Sequence, residues 1–500
     1  MLMLSVVSAD LSDDEQELVN HLQWRLSESW PFLGRLEEYY DGEQRMQNLG
    51  IAVPPELHAL RTAAGWPGVV VDTIDERLDV QGFRLGSSPD ADDDMWNIWT
   101  HNRMDHDSGL AHLDALMYGR SFVMAGTSDD SSGMPLITVE SPLNMAAIFD
   151  PATHRVTSAL QLYQFFGDAA AALYLPDQTV HLVNPGGKGW QVRERDEHNL
   201  GRCPVVMLTN RSRANDRYGR SEITPEVMSW TDAACRTLLG MEIAREFFAA
   251  PQRYIIGASE SAFMDADGNP KSAWETYIGR VLALEADEEG NLPQVGQFSM
   301  GSPQAFTDQL KSLSQLVSAR TGVPQHLLGW STDNPASADG ILAAESALNR
   351  RARRRQRSFG PQWSEVQQLA LTIANNGHLP PDAHQIEALW MPPETPTPTE
   401  TSAAILSQVQ SGAVPPVSDV ILSRLGYTPM EIQRLDADRK RAVASTDLAA
   451  VASALSAAGL RQQLTMDATE AEHGGSVPAP PPPARAQPAV QPAQPANGRG

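Results

Sequence analysis

Cysteine is nearly absent from this sequence. Cys203 and Cys235 lie far apart and form neither a metal-binding spacing nor a disulfide framework, which fits folding in a reducing compartment. Long hydrophobic runs are missing too. No stretch of eighteen apolar residues occurs, so no membrane span is expected. The apolar start, Met1 to Val7, is short and has no basic residue ahead of it, unlike a signal peptide. Positive charge is scarce: 38 Lys and Arg stand against 62 Asp and Glu, a net charge of −24. That balance argues against a protein whose main task is gripping a phosphate backbone by counterion release. It leaves room for nucleic acid that must pass without sticking. Catalytic motifs are also lacking: there is no Gly-x-Ser-x-Gly elbow and no His-Glu-x-x-His pair.

What is present is a long helical array. Apolar residues recur at steps of three and four through Ile223, Val227, Trp230, Ala234, Leu238, Met241, Ala244 and Phe248, which predicts a helix over 221–250 closed by Pro251. A second helix is expected from about Pro303 to Arg320, ended by Gly322 and Pro324. After a Gly, Pro, Ser, Asp and Asn-rich loop (323–337), a third helix spans about 338–375, roughly 55 Å at about 1.5 Å per residue. Gly360 and Pro361 lie in its middle and predict a kink. Between the first two helices, 252–301 reads as a small β-rich lobe.

Upstream, helical periodicity runs through Leu18, Leu22, Leu26, Trp30 and Leu36, with Pro31 as a break point. Further helices are expected near 69–78, from Trp96, and over 108–118, with a strand over 80–85. From Ser121 to Thr209 the period drops to two, and turn residues separate eight short strands, which reads as an antiparallel sheet subdomain. Beyond a proline-rich connector (392–398), four short amphipathic helices are expected up to about 460. The Pro, Ala and Gln-rich end, from about 474, cannot bury enough surface to offset its ordering entropy and reads as disordered.

The candidate chemical sites are weak. Pro185-Gly186-Gly187-Lys188-Gly189 lacks the Walker spacing and reads as a hairpin turn. His101, Asp105, His106, Asp107 and His112 match no metal motif and read as a polar helix junction. Asp265-Ala266-Asp267-Gly268 lacks the other ligands of a calcium loop. The one strong basic block is Arg350, Arg351, Arg353, Arg354, Arg355 and Arg357. It wraps more than one helix face, so its six arginines cannot share one ligand. Ion pairs within this or a neighbouring subunit are one reading; contact with nucleic acid or an acidic partner is the other. No catalytic residues, metal ligands or cofactors are expected. An enzyme built on His101, Asp105 and His106 would be the competing class.

Several short stretches, in order, carry a resemblance: Tyr39-Tyr40-Asp41-Gly42, Val71-Asp72 through Glu76-Arg77-Leu78 to Gly82-Phe83, Asn199-Leu200-Gly201-Arg202-Cys203-Pro204-Val205-Val206, Gly219-Arg220-Ser221-Glu222-Ile223, Pro251-Gln252-Arg253, and Thr321-Gly322-Val323-Pro324 with Leu327-Leu328-Gly329. Over about 10–465 the chain resembles the portal proteins of tailed double-stranded-DNA bacteriophages, of the long-tailed actinobacteriophage type. The resemblance implies an α+β, mainly helical, elongated fold. Its parts would be a wing with a β-rich subdomain (1–220), stem helices (221–251 and 303–322), a clip (252–302), a tunnel loop (323–337), a long kinked helix returning to the wing (338–391) and crown helices (392–472). The tail (473–500) departs from the shared pattern.

The function implied is a ring-shaped channel, made of about twelve subunits, at one capsid vertex for DNA packaging, ejection and head–tail joining. Partners would be further copies of the chain, double-stranded DNA in transit, a terminase motor, a head–tail connector or adaptor, and major capsid and scaffold proteins, with no membrane. The protein would be made in the host cytoplasm and end in the virion. Gln325, His326, Trp330, Ser331, Thr332 and Asn334 would face DNA. A minor head or head-completion protein is the alternative.

Overall fold

The computed structural model describes residues 10–44, 62–86, 88, 91–128, 133–211, 213–248, 253–257, 292–297, 303–330, 338–394, 405–412 and scattered positions from 415 to 441. The chain divides into two units, 1–395 and 396–500.

Helix α1 (Asp13–Asp41) begins with a capping box in which Ser12 and Glu15 satisfy each other's backbone N–H groups, and ends on Gly42 in the left-handed conformation. It continues through Pro31, where a break was expected. Pro31 lies on the exposed side, so the carbonyl it leaves unbonded lies toward solvent. Trp66–Asp75 (α2) starts earlier than its periodicity suggested, because Pro67 sits in the first turn, where its missing N–H is not needed. Val80–Leu85 (β1), Asp93–His101 (α3) and Met104–Tyr118 (α4) follow.

The eight expected strands all form, but in two sheets rather than one. Arg120–Thr127 (β2), Pro135–Glu140 (β3) and Val205–Thr209 (β9) make an antiparallel sheet ordered β3-β2-β9. Met145–Phe149 (β4), Val156–Phe165 (β5), Asp168–Tyr174 (β6), Thr179–Asn184 (β7) and Gln191–Asp196 (β8) make a five-stranded meander. Alternation sorts its two faces. Leu160, Ala171 and Leu173 pack under Val19, Leu22 and Leu26 of α1. Ala159, Ala172 and Tyr174 pack against Phe122, Val205 and Met207 of the smaller sheet.

The helical array then forms as Pro225–Phe248 (α5), Gln304–Thr321 (α6) and Ala338–Ala374 (α7). Helices α5 and α6 run antiparallel: Arg320, late in α6, lies 3.8 Å from Glu226, early in α5, and Phe306, early in α6, faces Gly240, late in α5. At their far ends Arg253–Ile256 (β10) pairs with Gln294–Gln297 (β11). Helix α7 continues through Pro361, as its periodicity over 338–375 predicts. Gly360 admits the Trp390 indole, whose Nε1 would lie 3.4 Å from an added Cβ. After α7 comes a strand the sequence pattern did not reveal, Ile386–Trp390 (β12), which pairs antiparallel with β1. In the second unit, 405–410 is helical, as expected there. The 446–460 helix, the 280–284 strand, the calcium-like turn and the terminal tail lie outside the described residues.

Candidate functional site

Helices α5, α6 and α7 converge on one carboxylate. The loop after β9 is fixed by two glycines in the left-handed region, Gly119 (φ 94°) and Gly219 (φ 78°). A Cβ on Gly219 would lie 1.7 Å from the Gly119 carbonyl oxygen, so only glycine permits this approach. Asn210 closes the loop: its N–H donates to Gly119 O (2.9 Å), its carbonyl accepts from Arg220 N–H (2.9 Å), and its Nδ2 donates to Arg220 O (2.8 Å). Glu222 N–H donates to Leu116 O at 2.9 Å. The Glu222 side chain is thereby aimed inward, just ahead of α5.

There, Glu222 Oε1 accepts from Asn210 Nδ2 (2.9 Å) and Arg355 Nε (2.8 Å), while Oε2 accepts from Arg351 Nη2. Arg351 Nη1 also donates to the Arg320 carbonyl (3.2 Å) and to that of Thr321, the last residues of α6. The Glu222 side chain is 3% exposed and that of Arg355 7%. Burial alone would push the Glu222 carboxyl up. The Arg355 and Arg351 guanidiniums and the Asn210 amide outweigh it and hold the carboxyl below its usual range. The cluster thus ties the start of α5, the end of α6 and the middle of α7 into one joint.

The six arginines of the block divide by helical spacing. Arg351 and Arg355 turn inward to Glu222. Arg353 bonds Glu394 (2.6 Å) and, with Arg357, borders a cleft of about 1060 Å³ between α7 and β12. Arg350 and Arg354 border a separate cavity of about 510 Å³ beside the joint. Sequence reasoning noted the Gly219-to-Ile223 stretch only as a motif. An acid two residues after an arginine-rich loop gave no sign of which arginines, over 120 positions later, would meet it.

From this joint the chain enters 323–330. Val323 and Leu328 are buried, and Gln325–Leu328 is a short 3-10 helix ending on left-handed Gly329. His326 is exposed, 3.8 Å from Glu345 of α7, while Trp330 packs partly against the main core. Ser331, Thr332 and Asn334 lie outside the described residues. The first eight residues of the expected 323–337 loop are thus anchored to the core.

The other candidates separate. His112 is fully buried; its Nε2 accepts from Trp363 Nε1 at 2.8 Å, and burial pushes its pKa down to about 3. His101, His106 and Asp107 border one surface cavity with Arg103. Among the described residues, no three His, Cys, Asp or Glu side chains converge as metal ligands. In the 185–189 turn, Gly186 N–H donates to Asp168 Oδ1 (2.8 Å) and Gly189 N–H to Asn184 Oδ1 (2.9 Å), so two amides a phosphate would need are already taken.

Comparison with known proteins follows the same outline. Residues 25–443 match the family described as phage portal protein, SPP1 Gp6-like. The portal protein of Mycobacterium phage L5 is 38% identical over 368 residues, 72% of this chain and 75% of the relative. That of Mycobacterium phage D29 gives the same values, 38% over 368 residues, 72% and 75%. A solved structure, the neck of a native GTA particle computed with C12 symmetry, aligns at TM-score 0.40 and 15% identity, over 80% of this chain and 99% of that one. With a matching region that runs from within α1 past the end of β12, this chain belongs to the phage portal protein family.

Proposed function

We propose that copies of this chain close into a ring around an axial channel, with α5 and α6 as the stem, 252–302 as the clip, 323–337 as the tunnel loop, 1–220 as the wing and 392–472 as the crown. As a portal protein the chain serves genome packaging and head–tail joining. Its role is structural: it is the passage, and a separate terminase motor moves the DNA. The reading extends to a head–tail adaptor and to capsid and scaffold proteins as neighbours, and to the virion's portal vertex as location. Among the described residues, no helix is long and apolar enough to cross a membrane.

The observation that carries the ring is the α5–α6 pair itself. Its inner stripe (Val227, Ala234, Leu239, Leu310, Val317) is buried within the chain, yet Leu316 of α6 and Ile341 of α7 stay 46% and 42% exposed. Long helices that leave apolar residues exposed suit side-by-side packing around an axis, where heterologous contacts close if the rotation closes. Native mass spectrometry with negative-stain imaging tests this: rings with a central hole are expected, and a chain that stays monomeric alone and with its capsid partners overturns it. Deleting 330–336 should leave rings intact and impair packaging. Normal packaging by that deletion would remove the tunnel-loop assignment.

A further inference from the structure

The cavity of about 510 Å³ beside the Glu222 joint holds more positive charge than the fold neutralises. Seven arginines border it, three from the loop and α6 (Arg213, Arg220, Arg320) and four from α7. The one acid on its wall is Glu222, which already serves Arg351 and Arg355. Arg213 is held by Asp216 at 2.9 Å, and Arg320 has Glu226 at 3.8 Å. Arg220, Arg350 and Arg354 have no ion pair among the described residues. Three like charges around one concavity repel one another unless an anion enters.

The rest of the chain has the opposite excess. Residues 1–119 carry 22 Asp and Glu against 7 Lys and Arg. A heterologous contact joins two different patches of the same chain, so a basic patch can meet an acidic one at every interface of a ring; a self-complementary contact would set the arginines against themselves. Nucleic acid is the less favoured anion. A chain of net charge −24 repels it, and a site that bound phosphate tightly would brake DNA in transit.

We propose that the Arg220, Arg350 and Arg354 cavity is an intersubunit socket, filled by carboxylates from the acidic first 119 residues of the adjacent copy. The proposal rests on the ring reading above. Arg350 and Arg354 are exposed, so their replacement leaves the joint and the core in place. The test compares the full-length wild type with the double variant Arg350→Glu, Arg354→Glu by native mass spectrometry across a salt series. Wild-type assembly should weaken as salt rises, and the variant should need about tenfold more protein, or above, to assemble.

A second variant, Arg354→Lys, places an amine in the cavity. Zero-length carbodiimide cross-linking of assemblies mixed from isotopically labelled and unlabelled chains should join Lys at that position to a carboxylate within 1–119 of another copy. Unchanged assembly of the double variant, or cross-links confined to one chain, overturns the socket while leaving the ring. So does a double variant that assembles normally but loses binding to a short DNA duplex, which would make the cavity a phosphate site. A wild type that never assembles overturns ring and socket together.

Discussion

The two halves of α7 are anchored by different physics. In the first half, Arg351 and Arg355 reach a single buried carboxylate, and Asn349 and Glu345 take up Arg77 from the α2–β1 connection at 3.1 and 3.3 Å. In the second half, Phe359, Trp363, Val366, Leu369 and Ala370 are fully buried. Trp363 meets Trp99 edge-on at 5.0 Å between ring centroids, and His112 stacks on Phe359 at 5.5 Å. Apolar packing is non-directional and tolerates small shifts, whereas a carboxylate fixed by two guanidiniums and an amide sets position and angle. The charged half is where α5, α6 and the 323–330 segment meet α7. The apolar half is where α7 joins the sheets.

The contrast breaks most visibly at the centres of the two halves. Glu222→Ala leaves two guanidiniums without their carboxylate and should lower unfolding stability by about 3–5 kcal/mol. Trp363→Ala opens a cavity and should cost about as much, about 3–5 kcal/mol. Only the first should be rescued by removing its partners: Glu222→Leu with Arg351→Met and Arg355→Met should recover most of the loss in urea unfolding. If the triple variant is no better than Glu222→Ala, the joint acts by packing and not by charge.

A smaller effect tests the loop that aims Glu222. Gly219→Ala forces a Cβ into the Gly119 carbonyl at positive φ and should cost about 2–4 kcal/mol. Gly133→Ala also sits at positive φ (67°), but nothing lies within 4 Å of its added Cβ, so it should cost only about 1 kcal/mol. Equal thermal shifts for the two would remove the close-approach argument.

The smallest effects separate two kinds of buried acid by pH. Glu15, held down to about 2 chiefly by its bond to Arg195, stabilises the fold above its unfolded value near 4.5, and that gain is lost as pH falls toward 2. Asp75 is pushed up to about 7 by burial and then by Asp72 and Glu76. Its penalty is absent below about pH 4, grows as pH rises, and is complete above 7. Glu15→Gln should therefore lose about 1.5–3 kcal/mol at pH 7 and little at pH 2. Asp75→Asn should gain about 1–2 kcal/mol at pH 8 and nothing at pH 4. Melting temperatures across pH 2–8 check both signs.

Legibility followed sequence distance. The strands from 120 to 209 were readable because alternation and turn residues are local, and so was the end of α6, where left-handed Gly322 takes Ser318 O at 2.8 Å. The strand β12 was not readable. It is short, its partner β1 lies about 300 positions earlier, and its place after α7 suggested more of the same element. The break expected at Pro31 came from a local rule. A missing N–H breaks a helix only where packing does not hold both sides, and here Leu26 and Leu33 are buried on either side.

By itself, then, the sequence determined most of the described elements up to the end of α7, their order, the acidic excess and the resemblance to portal proteins, because periodicity, capping and composition act over a few residues. Only the tertiary structure decided how six consecutive-looking arginines divide into three pairs. It also decided that Glu222 is the joint of three helices and that the two sheets stack. Each of these depends on which distant surfaces meet, and that is fixed by burying the whole core at once, not by any one segment's preference.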